Sequence, residues 1–361
     1  MKTNYAISWK SSSANIPFRN LDFDEVIQLV TRTTSGDGKH TTSYKFAFFK
    51  SILDNIFNIN ISDNTLRFNS IAIRFTEIYW NLILKYNLRQ MRITVEGKCS
   101  GIERLIKEFW SNNEISEFFP FENLTPALQL EITNLVETAI VKKYVLGAFC
   151  GDTDGQFYHF DKKDDFITLN PSVVAILEKY KISFEKLNYY SWIKFLESVN
   201  EEHDAFSLAR KLDSSTERSD LTIFRKTLVE FGQNKCFYCG KELSRLENAK
   251  AVPVDHFIPW SFIKDDNLWN FVLACQECNS KKSNILSDDF FVQFVIDRNK
   301  KLVNVKDKFV QEEFKAYRHE KLIEIYKSAK FNGFKSGWKP KVSYTISRNY
   351  DILKVADSAC F

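Results

Sequence analysis

Apolar residues recur at helical spacing through most of the first two hundred positions. Between 43 and 58, Phe48, Phe49, Ile52, Leu53, Ile56 and Phe57 fall three or four apart, the stripe of a helix with one buried face. The same spacing predicts helices over 71–86 and 102–110. Thr125 followed by Pro126 reads as a helix start, a hydroxyl cap before a residue whose missing N–H costs nothing there. That helix is expected to run to about Leu146 and stop near Gly147. Asn170-Pro171 opens another by the same logic, and 189–199 adds one more. Short apolar runs at 157–160 and 166–169 predict strands, with a turn at 151–155 (Gly-Asp-Thr-Asp-Gly) beside them. Residues 33–39 read as a turn, and 212–220, polar and serine-rich, as a linker. Further helices are predicted over 221–231, 288–298 and 307–330, followed by a basic, aromatic, turn-rich stretch at 331–341.

The fold class expected from this pattern is mainly α with small β. Three parts follow: a mainly helical targeting or regulatory domain over 1–203, a compact domain over 204–287, and a helical basic extension over 288–361. With 361 residues, 44 % of them apolar and 27 % charged, the chain can bury several cores and is not a disordered polymer. Its 33 Phe, 14 Tyr and 7 Trp are mostly core material. The opening residues lack a secretion-signal pattern, and no run of about 18 apolar residues exists, so a soluble cytoplasmic protein with no membrane partner is expected. Residues 204–361 hold 27 Lys+Arg against 21 Asp+Glu, a balance of +6, whereas 1–203 hold 23 against 25, a balance of −2. A basic excess confined to the second part suits a phosphate-rich partner.

Two near-motifs fail on spacing. Gly38-Lys39 lacks the earlier glycine of a phosphate loop, and Asp152 and Asp154 lack the ligand spacing of an EF-hand. His40, His159 and His203 read as surface or packed histidines. Cysteine usage is more specific. Cys99, Cys150 and Cys360 stand alone, but Cys236-Phe-Tyr-Cys239 and Cys275-Gln-Glu-Cys278 form two Cys-x-x-Cys knuckles. Such a pair offers four thiolates to one tetrahedral ion, and a full thiolate shell leaves no open position, so the zinc it implies is structural. Between the knuckles lie Asp255-His256 and Asn270; Asn279-Ser-Lys281-Lys282 follows the last cysteine. A carboxylate and an amide oxygen suit a hard divalent ion, a neutral imidazole can take a proton from water near pH 7, and lysines can hold a phosphate.

The order Cys-x-x-Cys, Asp-His-x-x-Pro, Asn, Cys-x-x-Cys-Asn-x-x-Lys resembles the zinc-containing HNH (ββα-metal) endonucleases over roughly 231–285. Asparagine directly after the fourth cysteine is similar to phage endonuclease VII. The stretch from Asp255 to Asp266 resembles the HNH domain of RNA-guided CRISPR effector nucleases. The resemblance implies a ββα-metal nuclease domain stapled by Cys236, Cys239, Cys275 and Cys278 around zinc. It implies His256 as general base, and Asp255 and Asn279 as ligands of a catalytic Mg²⁺ or Mn²⁺. Asn270 would steady the His256 loop and imidazole, and Lys282, with Lys281 as a neighbour, would contact the phosphate. The expected function is metal-dependent hydrolysis of phosphodiester bonds in nucleic acid, DNA ahead of RNA, in bacterial restriction or anti-phage defence. A nuclease acting on RNA, including tRNA, is one alternative. A non-catalytic zinc module that binds nucleic acid is the other, but such a module has no need of Asp255, His256 and Asn279. Residues 1–203 carry no catalytic constellation and are expected to select a target or a protein partner.

Overall fold

The computed structural model describes residues 17–34, 40–92, 98–113, 117–161, 163–215, 221–244, 246, 248, 252–315 and 317–341. The chain divides into two compact units, Met1–Ser219 and Asp220–Phe361. The division falls after the sequence break expected at 203/204, and residues beyond 288 share the second unit with the motif.

The first unit contains α1 (Phe23–Thr34), α2 (Tyr44–Asp54), β1 (Thr65–Arg67), α3 (Phe68–Trp80), α4 (Gly101–Asn112), α5 (Pro126–Val136), α6 (Leu146–Asp152), β2 (Tyr158–Phe160), β3 (Phe166–Leu169), α7 (Pro171–Lys179), α8 (Lys181–Glu197) and α9 (Ala205–Asp213). Its three strands form one antiparallel sheet in the order β1-β3-β2. Thr125 caps α5 by accepting from the Leu128 N–H, and Asn170 caps α7 by accepting from the Ser172 N–H at 3.0 Å. Gly147 does not stop the predicted helix. The chain passes from α5 through wider π-type turns at Glu137–Val145 into α6, which ends at Asp152, and Gly147 is buried within it. Only at Asp154 and Gly155, both with positive φ, does the backbone turn back. The expected linker also begins later than its polarity suggests. Leu212 lies in α9, fully buried four residues after Leu208; residues 216–220 lie outside the described residues, as do 35–39 of the first predicted turn.

Aromatic rings fill the core. Phe48, Phe49, Phe149, Phe157 and Tyr158 are linked by tilted, stacked and edge-on ring pairs with centroids 5.4–6.3 Å apart. The first unit also holds a buried ionic network. Lys50 Nζ contacts Asp54 and reaches Glu185 at 3.0 Å, while Arg74 and Lys181 approach the same Asp54 carboxylate at 3.7 and 3.9 Å. Burial works against the Lys50 ammonium, but the Asp54 and Glu185 carboxylates outweigh it and raise its pKa. Lys181 goes the other way, its pKa lowered by burial. Asp54 is therefore the common anion for three cations. Asp54→Ala should destabilise the first unit by about 3–5 kcal/mol, the range for breaking one side of a buried ion pair. Urea unfolding followed by circular dichroism checks this; a loss under 1 kcal/mol would mean that water already reaches the network.

The second unit contains α10 (Thr222–Glu230), β4 (Val254–His256), α11 (Trp260–Ile263), β5 (Phe271–Leu273), α12 (Gln276–Lys282), α13 (Phe290–Val303), α14 (Lys308–Glu313) and α15 (His319–Phe331). The single helix expected over 307–330 is two, because the chain turns at Phe314 and buries Tyr317 between them. The stretch after α15 is packed rather than splayed. Trp338 bridges to Ser287 in parallel and sets its ring edge-on to Tyr238 at 5.1 Å.

Candidate active site and zinc cluster

β4 and β5 pair antiparallel, with Val254 opposite Leu273, Asp255 opposite Val272 and His256 opposite Phe271. Val252, Phe257 and Ile258 flank the Asp-His pair and are fully buried, so burial of the apolar neighbours carries two polar side chains into the domain. α12 follows β5 after a short turn, completing a ββα unit. The Asp-His pair thus sits on β4, the first two thiols on a turn, and the last two at the start of α12.

The first knuckle is a tight turn. Gly240 takes φ +70° and donates its N–H to the Cys236 carbonyl at 2.9 Å, a conformation that disfavours a side chain. The second knuckle opens α12, where the Asn279 N–H donates to the Cys275 carbonyl at 3.0 Å. All four sulfurs lie within 4.8 Å of one another, and Cys239 Sγ and Cys275 Sγ are 3.8 Å apart. A tetrahedron with Zn–S bonds of about 2.3 Å has edges of about 3.8 Å, so the cluster can hold a zinc ion. Among the described residues no other group of three or more His, Cys, Asp or Glu side chains meets the same closeness. Burial pushes the Cys236 thiol up to about 12 and raises the Cys278 thiol as well. Burial also acts on Cys275, but hydrogen bonds from the Cys278 backbone and the neighbouring thiols outweigh it and lower its pKa.

Asp255 and His256 are each only 6 % exposed. Asp255 Oδ2 accepts from the Tyr238 hydroxyl and from Lys282 Nζ at 2.9 Å. Burial, then the adjoining Asp255 carboxylate, raises the Tyr238 pKa, which keeps that hydroxyl a donor. Lys282 Nζ also donates to the His256 carbonyl at 2.8 Å. The expected phosphate contact of Lys282 therefore meets a different geometry: its side chain is fully buried, and its ammonium ties α12 to both residues of the Asp-His pair. Lys281, one position earlier and about 100° around the helix, points to solvent and pairs with Glu277 at 2.6 Å. Asn279 is half-buried on α12, and no hydrogen bond to its amide side chain forms among the described residues; the same is true of Asp255 Oδ1.

Asn270 holds the loop after β4. Its Oδ1 accepts from the Ile258 N–H and its Nδ2 donates to the Ile258 carbonyl, each at 2.9 Å. It does not touch the imidazole. His256 Nε2 instead meets Asp266 Oδ1 at 2.7 Å, and the ring lies edge-on to Phe271 at 4.6 Å. Asp266 closes the stretch that carries the family resemblance, but the sequence assigns it no role. Helices outside the motif support the same strip. Arg298 Nη1 and Nη2 donate to the Phe271 and Trp269 carbonyls, and Asn299 Nδ2 donates to the Trp269 carbonyl at 2.9 Å. Burial pushes the Arg298 pKa down to about 10. Glu313 accepts from the Leu268 N–H at 3.0 Å; burial raises its carboxyl to about 7, against that hydrogen bond and with help from Asp265 and Asp266.

Two outcomes follow from this arrangement. Glu313 keeps its proton in the folded state up to about pH 7, whereas unfolding returns it to the usual carboxylate value of 4.5, so folding is favoured at low pH and loses that contribution as pH rises from about 4.5 to about 7. Glu313→Gln should flatten this dependence, read as the difference in urea midpoint between pH 5 and pH 8. An equal difference in both proteins would place the dependence elsewhere. For the cluster, Cys278→Ser should release zinc and lower the melting temperature of the second unit. Structural zinc sites contribute on the order of 10 kcal/mol of apparent binding energy at neutral pH. Metal analysis of purified, folded wild type that found no zinc would reject the assignment.

No curated protein and no solved structure matches the chain. Among the described residues, no helix is long and apolar enough to cross a membrane. Residues 236–287 do match the family model of HNH endonucleases, and with its four-cysteine cluster this segment fits the zinc-containing HNH family.

Proposed function

We propose that the protein is a metal-dependent endonuclease that hydrolyses phosphodiester bonds of DNA, in a bacterial restriction or anti-phage setting. The observation that carries this reading is the contact of α12 with the Asp-His pair. Through Lys282, the helix bearing Asn279 is fixed to the Asp255 carboxylate and to the His256 main-chain carbonyl, which sets α12 against the strand that carries both residues. A purely structural zinc module would need only the thiols.

The residues fit a hard divalent ion. Asp255 has one oxygen bound by Tyr238 and Lys282 and the other without a partner among the described residues, and Asn279 adds a neutral oxygen donor. When bound by Asp255 and Asn279, Mg²⁺ or Mn²⁺ would offset charge developing on the phosphate and the leaving oxygen. His256 takes a proton from the attacking water. The water oxygen bonds to phosphorus as the bond to the 3′ oxygen breaks, and the 3′ oxygen is protonated from solvent. The ends expected from the family resemblance are 5′-phosphate and 3′-hydroxyl. Lys281 and the basic surface of the second unit supply phosphate contacts, and the first unit selects the target or a protein partner.

The test compares wild type with His256→Ala at matched zinc content, on plasmid DNA and on total RNA, with Mg²⁺, Mn²⁺ or EDTA. General-base assistance is typically worth about 10²–10⁴ in rate, so His256→Ala should lose at least that much with its fold intact. Asn279→Ala should raise the Mg²⁺ concentration needed for half-maximal rate. Equal cleavage by wild type and His256→Ala would reject the reading, and cleavage of RNA alone would replace DNA as the substrate.

A further inference from the structure

We infer that Asp266 is a positioning residue for His256: its carboxylate holds the imidazole as the Nε2–H tautomer and so leaves the Nδ1 lone pair as the base. The inference rests on the nuclease reading above and goes beyond it, because it assigns the orienting group and the reacting nitrogen.

A carboxylate can only accept in the 2.7 Å contact between Asp266 Oδ1 and His256 Nε2, so the proton of a neutral ring lies on Nε2. The other ring nitrogen, Nδ1, makes no hydrogen bond among the described residues, and the ring plane is set by its edge-on contact with Phe271 at 4.6 Å. The pair is shielded, His256 being 6 % and the Asp266 side chain 14 % exposed, which strengthens the charge-assisted contact relative to one in water. A shielded carboxylate also steadies the imidazolium that forms when Nδ1 takes a proton, the logic of the acid in a catalytic triad.

The loop that carries Asp266 is built to hold it. After α11 the backbone reverses at Lys264, with φ +60°, and the Lys264 N–H closes on the Trp260 carbonyl at 2.7 Å. The Asp266 N–H donates to Asp265 Oδ1 at 2.9 Å, and Asn267 Nδ2 reaches Asp265 Oδ2 at 3.2 Å. The next residue but one, Leu268, is anchored to Glu313 of α14. Asp266 is thus fixed from both sides by groups that do not touch the imidazole. The carboxylate that orients the ring comes from a loop outside the strand pair, while Asn270, which the motif suggests for that task, spends both ends of its amide on Ile258.

The test uses the full-length, zinc-loaded chain without added Mg²⁺ or Mn²⁺, and nitrogen-15 NMR of the imidazole at a pH where the ring is neutral. Wild type should show one tautomer for His256, with Nε2 protonated. Asp266→Ala should show a mixture of tautomers at unchanged zinc content and melting temperature, and Asp266→Glu should restore the single form in part. In cleavage assays Asp266→Ala should lower kcat by about 10- to 100-fold, less than removing the base itself, with KM little changed. In the His256→Ala background the same substitution should add nothing. Asp266→Ala with wild-type kcat and a single Nε2–H tautomer would overturn the proposal. So would a rise in kcat, which would mean that Asp266 masks the ring, or a further loss in the His256→Ala background. Failure of the nuclease reading looks different: His256→Ala would cleave as well as wild type whatever the tautomer spectrum showed.

Discussion

A lysine ammonium can sit in a fully buried position only where oxygen atoms replace the water it gives up. Lys282 meets that condition with one carboxylate oxygen and one main-chain carbonyl, and both belong to the Asp-His pair. The geometry of the second unit depends on this requirement. It brings α12 down onto β4, sets a cation against Asp255 inside the protein, and leaves one carboxylate oxygen without a hydrogen bond among the described residues. Removing the cation would strand a buried carboxylate beside a tyrosine whose own ionisation burial already opposes. The thiol cluster acts on the same helix from its other end, because Cys275 and Cys278 open the turn from which Asn279 and Lys282 project.

Support from outside the motif is equally direct. Arg298 and Asn299 of α13 donate to the carbonyls of Trp269 and Phe271, and Glu313 of α14 takes the Leu268 N–H. These are main-chain groups of the segment that leads into β5, so the helices after the ββα unit act as a clamp on its backbone rather than as a separate appendage. The first unit solves its packing differently. Its rings supply area, and its buried charges are shared among three cations around one aspartate.

Much of the motif was legible because it is written in adjacent residues. Two Cys-x-x-Cys pairs, the Asp-His dipeptide and the asparagine after the fourth cysteine need no knowledge of long-range contacts. What depends on long-range contact was not legible. Asp266 reaches His256 only because the chain reverses at Lys264, and nothing in the spacing of a loop aspartate marks that return. Lys281 and Lys282 read as one basic pair, yet neighbours on a helix diverge by about 100°, so one is exposed and the other buried. That divergence could have been found by placing Lys282 three residues after Asn279, on the same face. Among the helices, those with Thr-Pro or Asn-Pro starts were found where expected. The short helix α9 was missed, since only Leu208 and Leu212 mark its buried side, and so was the break before Tyr317, which no proline or glycine announces.

Trp338 lies against Tyr238, whose hydroxyl holds Asp255. Between these two aromatic residues the ribosome must add the whole ββα unit and four more helices. The nascent chain therefore displays every residue of the motif before the ring that backs Tyr238 has been made. Until then the Tyr238 ring lacks the neighbour that packs edge-on against it, and synthesis itself imposes an order in which the residues of the motif precede part of their own scaffolding.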